Sequence, residues 1–349
     1  MNFQKQITHW YSIHKRDLPW RATKNPYNIW LSEIILQQTQ VKQGLPYYLS
    51  FIKEFPTVFD LADATEEQVL KLWQGLGYYS RARNLHTTAK NIAFNLNGVF
   101  PDNYKDLLSL KGVGDYTASA IASICFNEAS AVVDGNVYRA LSRFYGIDTP
   151  INSTKGIKEF KELASTLIDH KEPGNYNQAI MEFGARQCRP KNPDCNSCPV
   201  SNSCYAYINK SIDQLPVKLK KTKVSTKYFN FLVCIDKKKN TVIEKRTGKG
   251  IWQNLYQFPL IESNRSLKAE EFNLLKFENT ILENSNFEFS LYNETDRIHK
   301  LSHQHLHTKF WIIEVDQLPQ DSISIEKLKS YPAPVLISNF IDEFNFEAV

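Results

Sequence analysis

The sequence predicts two domains, a mostly helical N-terminal domain and an α+β C-terminal domain. Its 349 residues are enough for two domains of ordinary size. Apolar residues make up 42% of the chain, which can fill two cores and excludes a wholly disordered protein. The spacing of the apolar residues also changes along the chain. A helical repeat dominates up to about residue 205, and short aromatic and β-branched runs follow from residue 228.

In the first half, apolar residues recur at helical spacing in segments that glycine or proline separates. These segments are Pro56–Leu72, Tyr79–Leu96, Asn103–Leu110, Tyr116–Phe126, Val137–Tyr145 and Lys155–Ile168. In the second half, strands are predicted at Tyr228–Asp236, Thr241–Lys245, Trp252–Phe258 and Lys309–Val315, and helices at about Lys268–Phe277 and Ser338–Phe344. The lysine-rich stretch between the halves lacks periodicity. We therefore place the domains at 1–205 and 228–349, with a linker over 206–227.

Composition limits the class of protein and its compartment. The formal net charge is +5, and no apolar run approaches the ~18 residues that a membrane span needs. The N-terminus, Met1–Trp10, lacks an apolar signal segment, so we expect a cytoplasmic protein with no membrane partner. The lysines of Lys218–Lys227 and the arginines Arg186 and Arg189 are candidates for contact with nucleic-acid phosphates. For the lysines, a solvated tether is the alternative.

Four of the six cysteines lie close together in the sequence. They are Cys188, Cys195, Cys198 and Cys204, with the spacing C-x6-C-x2-C-x5-C. In a reducing compartment such a cluster indicates a metal site rather than a set of disulfides. Four thiolates suit either tetrahedral zinc or a [4Fe–4S] cluster, and the spacing favours iron–sulfur because zinc ribbons pair two C-x2-C knuckles. Ordinary buried cysteines are the alternative, as we expect for Cys125 and Cys234.

A glycine turn within Leu110–Ala118 links two predicted helices. Gly112 and Gly114 allow a tight hairpin, and the bare backbone amides at the start of the second helix favour an anion. The backbone of a nucleic acid supplies such anions as phosphates. A turn of this kind is also common where it merely connects two helices and binds nothing. It supports nucleic-acid binding only together with the positive net charge and the cysteine cluster.

Two carboxylates have contrasting surroundings. On a helix, the neighbours of Glu33 at three and four positions are apolar or neutral: Ile29, Trp30, Leu36 and Gln37. Burial there raises the pKa of Glu33 and makes it a proton donor near neutral pH; a solvated glutamate at the helix edge is the alternative. Asp134 follows an apolar run and suits the N-cap of the next helix, whose dipole keeps it ionised. One protonated and one charged acid are what cleavage of a glycosidic bond needs.

With these segments in place, the chain resembles the MutY-type adenine DNA glycosylases of the helix-hairpin-helix superfamily, over almost all of residues 1–349. The resemblance rests on the cysteine quartet and on Leu18–Arg21, Trp30–Val41, Gly75–Arg83, Gly112–Ala118 and Val133–Val137. It implies a helix-hairpin-helix glycosylase domain with a [4Fe–4S] module, followed by a Nudix-like α+β domain. The implied enzyme is a monomer that acts in base-excision repair. It removes adenine mispaired with 8-oxoguanine or guanine from double-stranded DNA by hydrolysis.

The resemblance also implies roles for single residues. The implied catalytic residues are Glu33, Asp134, Tyr116 and Asn136. Glu33 would protonate N7 of adenine, Asp134 would stabilise the oxocarbenium-like sugar, and the other two would position these acids. Further contacts with DNA or the base fall on Arg21, Leu36, Gln38, Thr39, Tyr78, Gly112, Gly114 and Gln178. Of these, Gln38 and Tyr78 would probe or wedge the opened stack, because the target base must leave the duplex to reach the acids.

The second half resembles a Nudix-like fold, notably at Gly250–Pro259. It lacks the run of glutamates with an arginine that binds magnesium in a Nudix hydrolase, so the resemblance implies recognition of 8-oxoguanine rather than hydrolysis. The family reads the lesion with an aromatic-Ser-His loop, which is Leu301, Ser302 and His303 here. Because Leu301 is not aromatic, Ser302 is the better candidate for the contact. The four histidines of His299–His307 could bind a metal, but exposed polar residues fit an extended loop better.

Two alternative functions stay open on the sequence. The first is an endonuclease III-like oxidised-pyrimidine glycosylase with lyase activity. Relatives of that kind carry a lysine that forms a Schiff base at the position of Tyr116, and a tyrosine has no amine to do so. The second is a non-enzymatic iron–sulfur protein that binds DNA, and the pairing of Glu33 with Asp134 speaks against it.

Overall fold

The structure, a computed structural model, describes residues 3–219, 224–275, 277, 282 and 286–348. Lysines of the predicted linker at 220–223, and residue 276 of the predicted helix Lys268–Phe277, lie outside the described residues. The chain divides into two compact units. The first holds residues up to 63 and 84–220, and the second holds residues 64–83 and those from 221 onward. No helix in the described ranges is long and apolar enough to cross a membrane.

The chain up to residue 210 is helical. Its helices are α1 (Phe3–His14), α2 (Pro26–Leu36), α3 (Val41–Glu54), α4 (Val58–Asp63), α5 (Glu66–Leu72), α6 (Ser80–Lys90), α7 (Tyr104–Leu108), α8 (Asp115–Phe126), α9 (Gly135–Tyr145), α10 (Thr154–Leu167), α11 (Pro173–Arg186) and α12 (Tyr205–Ile208). A π-helical turn, Asn91–Asn95, continues α6. Helix α5 and the first turn of α6 belong to the second unit, and the other helices to the first. The predicted linker therefore begins with a short helix, α12.

Local sequence explains where the helices begin and end. Asn25 caps α2 by accepting a hydrogen bond from the amide of Tyr27, and proline occupies the first position of the helix. Helix α9 ends at Gly146, which has φ 74°. A single helix predicted over Pro56–Leu72 is wrong. The side chain of Thr65 forms a capping box with Gln68, so α5 starts anew after α4 ends.

Small residues allow the helices that carry the site to approach closely. Helix α11 packs against α1, α8 and α9. A Cβ atom on Gly174 of α11 would lie 2.6 Å from the carbonyl oxygen of Ser123 in α8. A Cβ on Gly184 of the same helix would lie 2.5 Å from the carbonyl oxygen of Asn136 in α9. The backbone of α11 therefore lies directly against the end of α8 and the start of α9. Neither Gly174 nor Gly184 leaves room for a side chain.

The second unit contains a mixed sheet, of seven strands among the described residues. The strands of the unit are β1 (Ser225–Asp236), β2 (Asn240–Thr241), β3 (Glu244–Lys245), β4 (Tyr256–Gln257), β5 (Leu260–Ser263), β6 (Phe287–Leu291), β7 (Arg297–Lys300), β8 (Gln304–Val315) and β9 (Ile323–Ser324). The sheet order is β6-β8-β1-β2-β9, with β5 also paired to β1 and β7 to β8, while β3 and β4 form a separate ribbon. Strands β1 and β8 run parallel along their whole length, from the pair Ser225–Gln304 to the pair Asp236–Val315.

The alternation of side chains on β1 and β8 explains the two cores of the second unit. On one face, Leu232 and Trp311 pack in a buried cluster with Phe272. On the other face, the ring of Phe310 stacks at 4.1 Å on Phe340 of helix α13 (Val335–Glu343). The helix predicted at Ser338–Phe344 is therefore present.

Three elements predicted for the second half differ in the structure. The strand predicted at Thr241–Lys245 is split between β2 and β3, and that at Trp252–Phe258 is reduced to β4. The helix predicted at Lys268–Phe277 is a 3-10 helix, Ala269–Leu274. Phe272, within this 3-10 helix, packs in the buried cluster with Trp311.

Candidate active site

A cavity of about 1080 Å³ lies within the first unit, among helices α2, α8, α9 and α11. It brings together ten of the predicted site residues: Arg21, Glu33, Leu36, Gln38, Thr39, Gly114, Tyr116, Asp134, Asn136 and Gln178. Ordinary ligand sites measure about 300–1,000 Å³, so the cavity can hold a whole nucleotide. These residues come from distant parts of the sequence, and the packing of small residues on the helices brings them together.

Glu33 lies on α2 with only 7% of its surface exposed. Burial raises the pKa of its carboxyl to about 7. A hydrogen bond with Tyr116 lowers the pKa, the negative charge of Asp134 raises it, and the positive charge of Arg21 lowers it. The shift expected from the apolar neighbours of Glu33 is therefore present. At neutral pH this acid holds its proton for a large part of the time.

Asp134 is the N-cap residue of α9. Its Oδ1 accepts hydrogen bonds from the amides of Asn136 (2.9 Å) and Val137 (2.8 Å), and its Oδ2 accepts one from Asn136 Nδ2 (2.7 Å). The cap expected from the sequence is present. Burial opposes the expected ionised form and raises the pKa of Asp134, and the three hydrogen bonds and the nearby Arg139 offset this only in part.

Tyr116 lies in the first turn of α8 and lines the same cavity as the two acids. Burial raises the pKa of its hydroxyl well above the ordinary value, and the charges of Glu33 and Asp134 add to the shift. The hydroxyl therefore stays protonated and acts as a donor. It lies 3.2 Å from the sulfur of Met181 and also within hydrogen-bonding reach of Glu33. A carboxyl oxygen is a stronger acceptor than a thioether, so we assign the proton to the bond with Glu33.

The side chain of Asn136 is oriented by Arg139, a residue that sequence reasoning missed. Arg139 donates to Asn136 Oδ1 (2.8 Å) and to the carbonyl oxygens of Gly184 (2.6 Å) and Cys188 (2.7 Å). The amide nitrogen of Asn136 is thereby left to point at Asp134. Asn136 and Arg139 are three residues apart, so they lie on the same face of a helix, and this spacing could have predicted their contact from the sequence.

One wall of the cavity is an ion-pair network that was also not expected. Arg16 and Arg21 both donate to the carboxylate of Glu182, at 2.6 and 2.7 Å. Burial alone would raise the pKa of Glu182, but the two arginines hold it at about 2. Beside this network, the hydroxyl of Tyr11 donates to Oε1 of Gln178 at 2.8 Å. Gln178 and Glu182 lie four residues apart on α11, a helix that the sequence analysis did not predict.

The glycine hairpin has the expected form. Helices α7 and α8 are joined by a turn in which Gly112 has φ 80°, a conformation that other residues rarely adopt. A Cβ on Gly112 would lie 2.7 Å from Cβ of Asn84, so steric contact also requires glycine. Gly114 is the N-cap of α8 and supplies no side chain to its amides. The first turn of α8 therefore presents donors beside the cavity, where a phosphate can bind.

The four clustered cysteines line one small cavity of the first unit, of about 30 Å³. Arg143 donates to Sγ of Cys188 at 3.5 Å, and burial raises the pKa of Cys198 to about 12. The negative charges of the neighbouring thiolates add to that shift, so four thiolates together need a compensating cation. Within the described ranges, no three His, Cys, Asp or Glu side chains converge as ligands of a single metal ion. The donor set itself fits an iron–sulfur cluster.

Three predicted site residues belong to the second unit. Tyr78 has φ 48° and is 47% exposed. Ser302 and His303 are exposed in the turn between β7 and β8, with 3.4 Å between Ser302 Oγ and His303 Nδ1. Among the neighbouring histidines, His307 bonds through Nδ1 to Oδ2 of Asp296 at 3.0 Å. These side chains lie on a β-hairpin rather than on an irregular loop.

Two family models match the chain. Residues 31–165 match the HhH-GPD superfamily of base excision DNA repair proteins, and residues 230–343 match the NUDIX domain. These ranges correspond to the helical half and the sheet-containing half of the fold.

The chain is also similar to curated proteins and solved structures. It is 38% identical over 314 residues to the adenine DNA glycosylase of Buchnera aphidicola subsp. Baizongia pistaciae, covering 89% of this chain and 86% of that protein. It is 43% identical over 222 residues to the adenine DNA glycosylase of Homo sapiens, covering 61% of this chain and 41% of that protein. Among structures, a thermostable thymine-DNA glycosylase matches at 30% identity with a TM-score of 0.55, covering 59% of this chain and 95% of that one. A non-covalent endonuclease III–DNA complex shares the fold, with a TM-score of 0.51 and 20% identity over 60% of this chain and 99% of that one.

Proposed function

The chain belongs to the adenine DNA glycosylase family of base-excision repair enzymes, and from this premise we propose that it releases adenine mispaired with 8-oxoguanine or guanine in double-stranded DNA. The observation that carries the proposal is the shared cavity of Glu33 and Asp134. The reaction is hydrolysis of the N-glycosidic bond, and its products are free adenine and an abasic site.

Glu33 is the general acid. Its pKa of about 7 means that it carries a proton for a large part of the time at neutral pH. Transfer of that proton to N7 of the extruded adenine lets the base leave with the electron pair of the bond between C1′ and N9. Tyr116 donates a hydrogen bond to Glu33 and so keeps the carboxylate in place after the proton has left. A water molecule then attacks C1′, and its proton returns to the carboxylate of Glu33.

Asp134 stabilises the positive charge that develops on the sugar. All three of its hydrogen-bond partners are donors, from Asn136 and Val137, and this arrangement suits a carboxylate and not a protonated acid. Burial works in the opposite direction and leaves the charge poorly solvated. A poorly solvated carboxylate interacts strongly with an oxocarbenium-like sugar, because little water screens the two charges.

Other residues of the cavity bind the base. Arg21, Leu36 and Gln178 line the space where adenine fits, and Gln38 and Thr39 lie beside it. Arg21 is held by Glu182, so its guanidinium is fixed before the base arrives. A preorganised wall of this kind lowers the entropy that binding loses.

The four cysteines would hold a [4Fe–4S] cluster. The bound cluster would neutralise the thiolates and stabilise the loop from Cys188 to Cys204. Arg139 and Arg143 tie that loop to α9 by donating to the carbonyl oxygens of Cys188 and Arg189, at 2.7 Å each. The order of the loop therefore bears directly on the position of Asp134 at the start of α9.

Further residues would contact the DNA outside the adenine cavity. Gly112 and Gly114 would present backbone donors to a phosphate, and Tyr78 would wedge the opened stack. In the second unit, Ser302 and His303 would contact 8-oxoguanine. We propose that the protein works as a monomer on the DNA of the cytoplasm, without a membrane partner.

The proposal is tested by single-turnover release of adenine from an A:8-oxoguanine duplex. Glu33→Gln and Asp134→Asn should each abolish release while binding of the duplex survives. Glu54→Gln, an exposed glutamate at the end of α3, is the matched control and should leave the rate unchanged. Release of adenine by either site variant at the wild-type rate would show that the mechanism is wrong. Intact binding with no release by the wild type would favour a non-enzymatic DNA-binding protein.

A further inference from the structure

Arg81 lies against two aromatic rings in the second unit. Its guanidinium carbon is 5.0 Å from the ring centroid of Trp73 and 5.7 Å from that of Tyr78. The side chain is buried, with 9% of its surface exposed. Contacts of this length between a guanidinium and an aromatic ring are cation–π interactions, which grow stronger as water is excluded.

The side chains of Trp73 and Arg81 also form hydrogen bonds with the backbone turn that carries Tyr78. The carbonyl oxygen of Gly77 accepts hydrogen bonds from Trp73 Nε1 at 3.1 Å and from Arg81 Nη2 at 3.2 Å. Gly75, Gly77 and Tyr78 all have positive φ, at 99°, 72° and 48°. A residue with a Cβ atom adopts this conformation unfavourably, so surrounding contacts must hold Tyr78 in it.

The turn leaves part of the Tyr78 ring accessible. Tyr78 is 47% exposed, although it contacts a buried cation. An accessible aromatic ring is a stacking surface for a nucleobase, and such stacking is favourable for every base. On its buried side, the ring of Tyr78 is held by its contact with the guanidinium of Arg81.

We propose that Arg81 is a positioning residue that holds the ring of Tyr78 ready to stack in the DNA when adenine leaves the duplex. The inference rests on the proposed function, because it gives Tyr78 its place in base extrusion. Arg81 does not touch the reacting atoms. It acts through Tyr78 on the opening of the base stack and leaves the chemical step in the cavity of the first unit unaltered.

The inference is tested with Arg81→Met, which keeps the length of the side chain and removes its charge. We expect the single-turnover rate on an A:8-oxoguanine duplex to fall about tenfold, the loss that one desolvated cation–π contact accounts for. The signal of 2-aminopurine placed beside the target adenine should show base unstacking slowed by the same factor. Arg83→Met is the matched control. Arg83, on the same helix as Arg81, donates to the carbonyl oxygen of Gln253 at 2.9 Å, so the rate of this variant should stay near the wild-type value.

A double-mutant cycle separates positioning from a general structural effect. With Tyr78→Ala in place, adding Arg81→Met should cause no further loss of rate, because the ring that Arg81 holds is already gone. Multiplicative losses from the two changes, or an unchanged unstacking signal in Arg81→Met, would overturn the inference. If Arg81→Met fails to fold, Arg81→Gln also removes the charge but keeps a donor for the carbonyl oxygen of Gly77, and the same cycle applies to it. A wild type that releases no adenine would instead defeat the proposed function.

Discussion

Glu33 and Asp134 line the same cavity, but three hydrogen-bond donors stabilise the carboxylate of Asp134, whereas burial dominates the titration of Glu33. Asp134 accepts three hydrogen bonds within 2.9 Å at the start of α9. Burial raises the pKa of Glu33, on α2, to about 7, although the nearby hydroxyl of Tyr116 lowers it. Burial raises the pKa of both acids, and hydrogen bonds lower both, with three such bonds at Asp134. Asp134 is therefore the acid better suited to carry the negative charge.

Glu33→Gln should change the pH dependence of stability. The pKa of Glu33 is about 7 in the folded protein against 4.5 for an ordinary glutamate, so the folded state binds more protons between these values. The stability of the wild type therefore falls as pH rises from 4.5 to 7. The glutamine variant lacks this loss and should be more stable than the wild type by up to about 3 kcal/mol at pH 8.

Denaturant unfolding at pH 5 and pH 8 measures this effect. The advantage of the glutamine variant should be small at the lower pH and large at the higher one. An advantage that is equal at both values, or a variant that is less stable at pH 8, would mean that Glu33 is not held in its neutral form.

Gly184→Ala should slow adenine release. The added methyl group would lie 2.5 Å from the carbonyl oxygen of Asn136 and 2.7 Å from its Cβ, so the start of α9 must shift. A displacement of about 1 Å at a catalytic group costs up to about 100-fold in rate. Gly248→Ala is the control, since a Cβ at that position meets nothing within 4 Å. Equal single-turnover rates for the two variants would show that Asn136 tolerates the shift.

Glu182→Gln should destabilise the protein, because it leaves Arg16 and Arg21 without a negative partner in a buried network. Loss of one member of a buried ion pair costs about 3–5 kcal/mol. Glu162→Gln removes a comparable pair with Lys158, but both side chains are more than half exposed, so its effect should stay under about 1 kcal/mol. Thermal unfolding of the two variants at pH 7 makes the comparison. Similar melting temperatures would mean that the network at Glu182 contributes no more than a surface pair.

Because residue 116 is a tyrosine, we predict that the enzyme has little lyase activity. A Schiff base with the abasic sugar needs an amine, and the hydroxyl of Tyr116 cannot form one. Borohydride added to the enzyme and an abasic duplex should trap little covalent product, whereas Tyr116→Lys should trap more. Efficient trapping by the wild type would indicate an endonuclease III-like glycosylase with lyase activity instead.

Motifs in the sequence were enough to predict the fold class and ten of the residues that line the cavity. The helices around Glu33 and Asp134 carry their own caps and apolar faces, so local sequence determines them. Helix α11 was missed because a proline was taken to separate helical segments, whereas Pro173 occupies the first turn of α11, where proline is favourable. Glu182 was missed with it.

Other features depend on contacts that no local pattern reveals. Arg139 bonds to carbonyl oxygens of Gly184 and Cys188, which are more than forty residues away in sequence. The raised pKa of Asp134 also depends on burial by other helices, while its cap could be predicted from three adjacent residues. Short strands such as β3 and β4 are defined by their pairing, so a run of aromatic and β-branched residues overestimates their length.

The pH dependence of single-turnover adenine release shows whether Glu33 is the proton donor. With Glu33 as the general acid, the rate on an A:8-oxoguanine duplex should be highest below pH 7 and fall about tenfold for each pH unit well above it. Glu33→Gln should lack both the activity and this fall, while still binding the duplex. A wild-type rate that stays constant or rises between pH 7 and pH 9 would contradict the assignment of Glu33 as the proton donor.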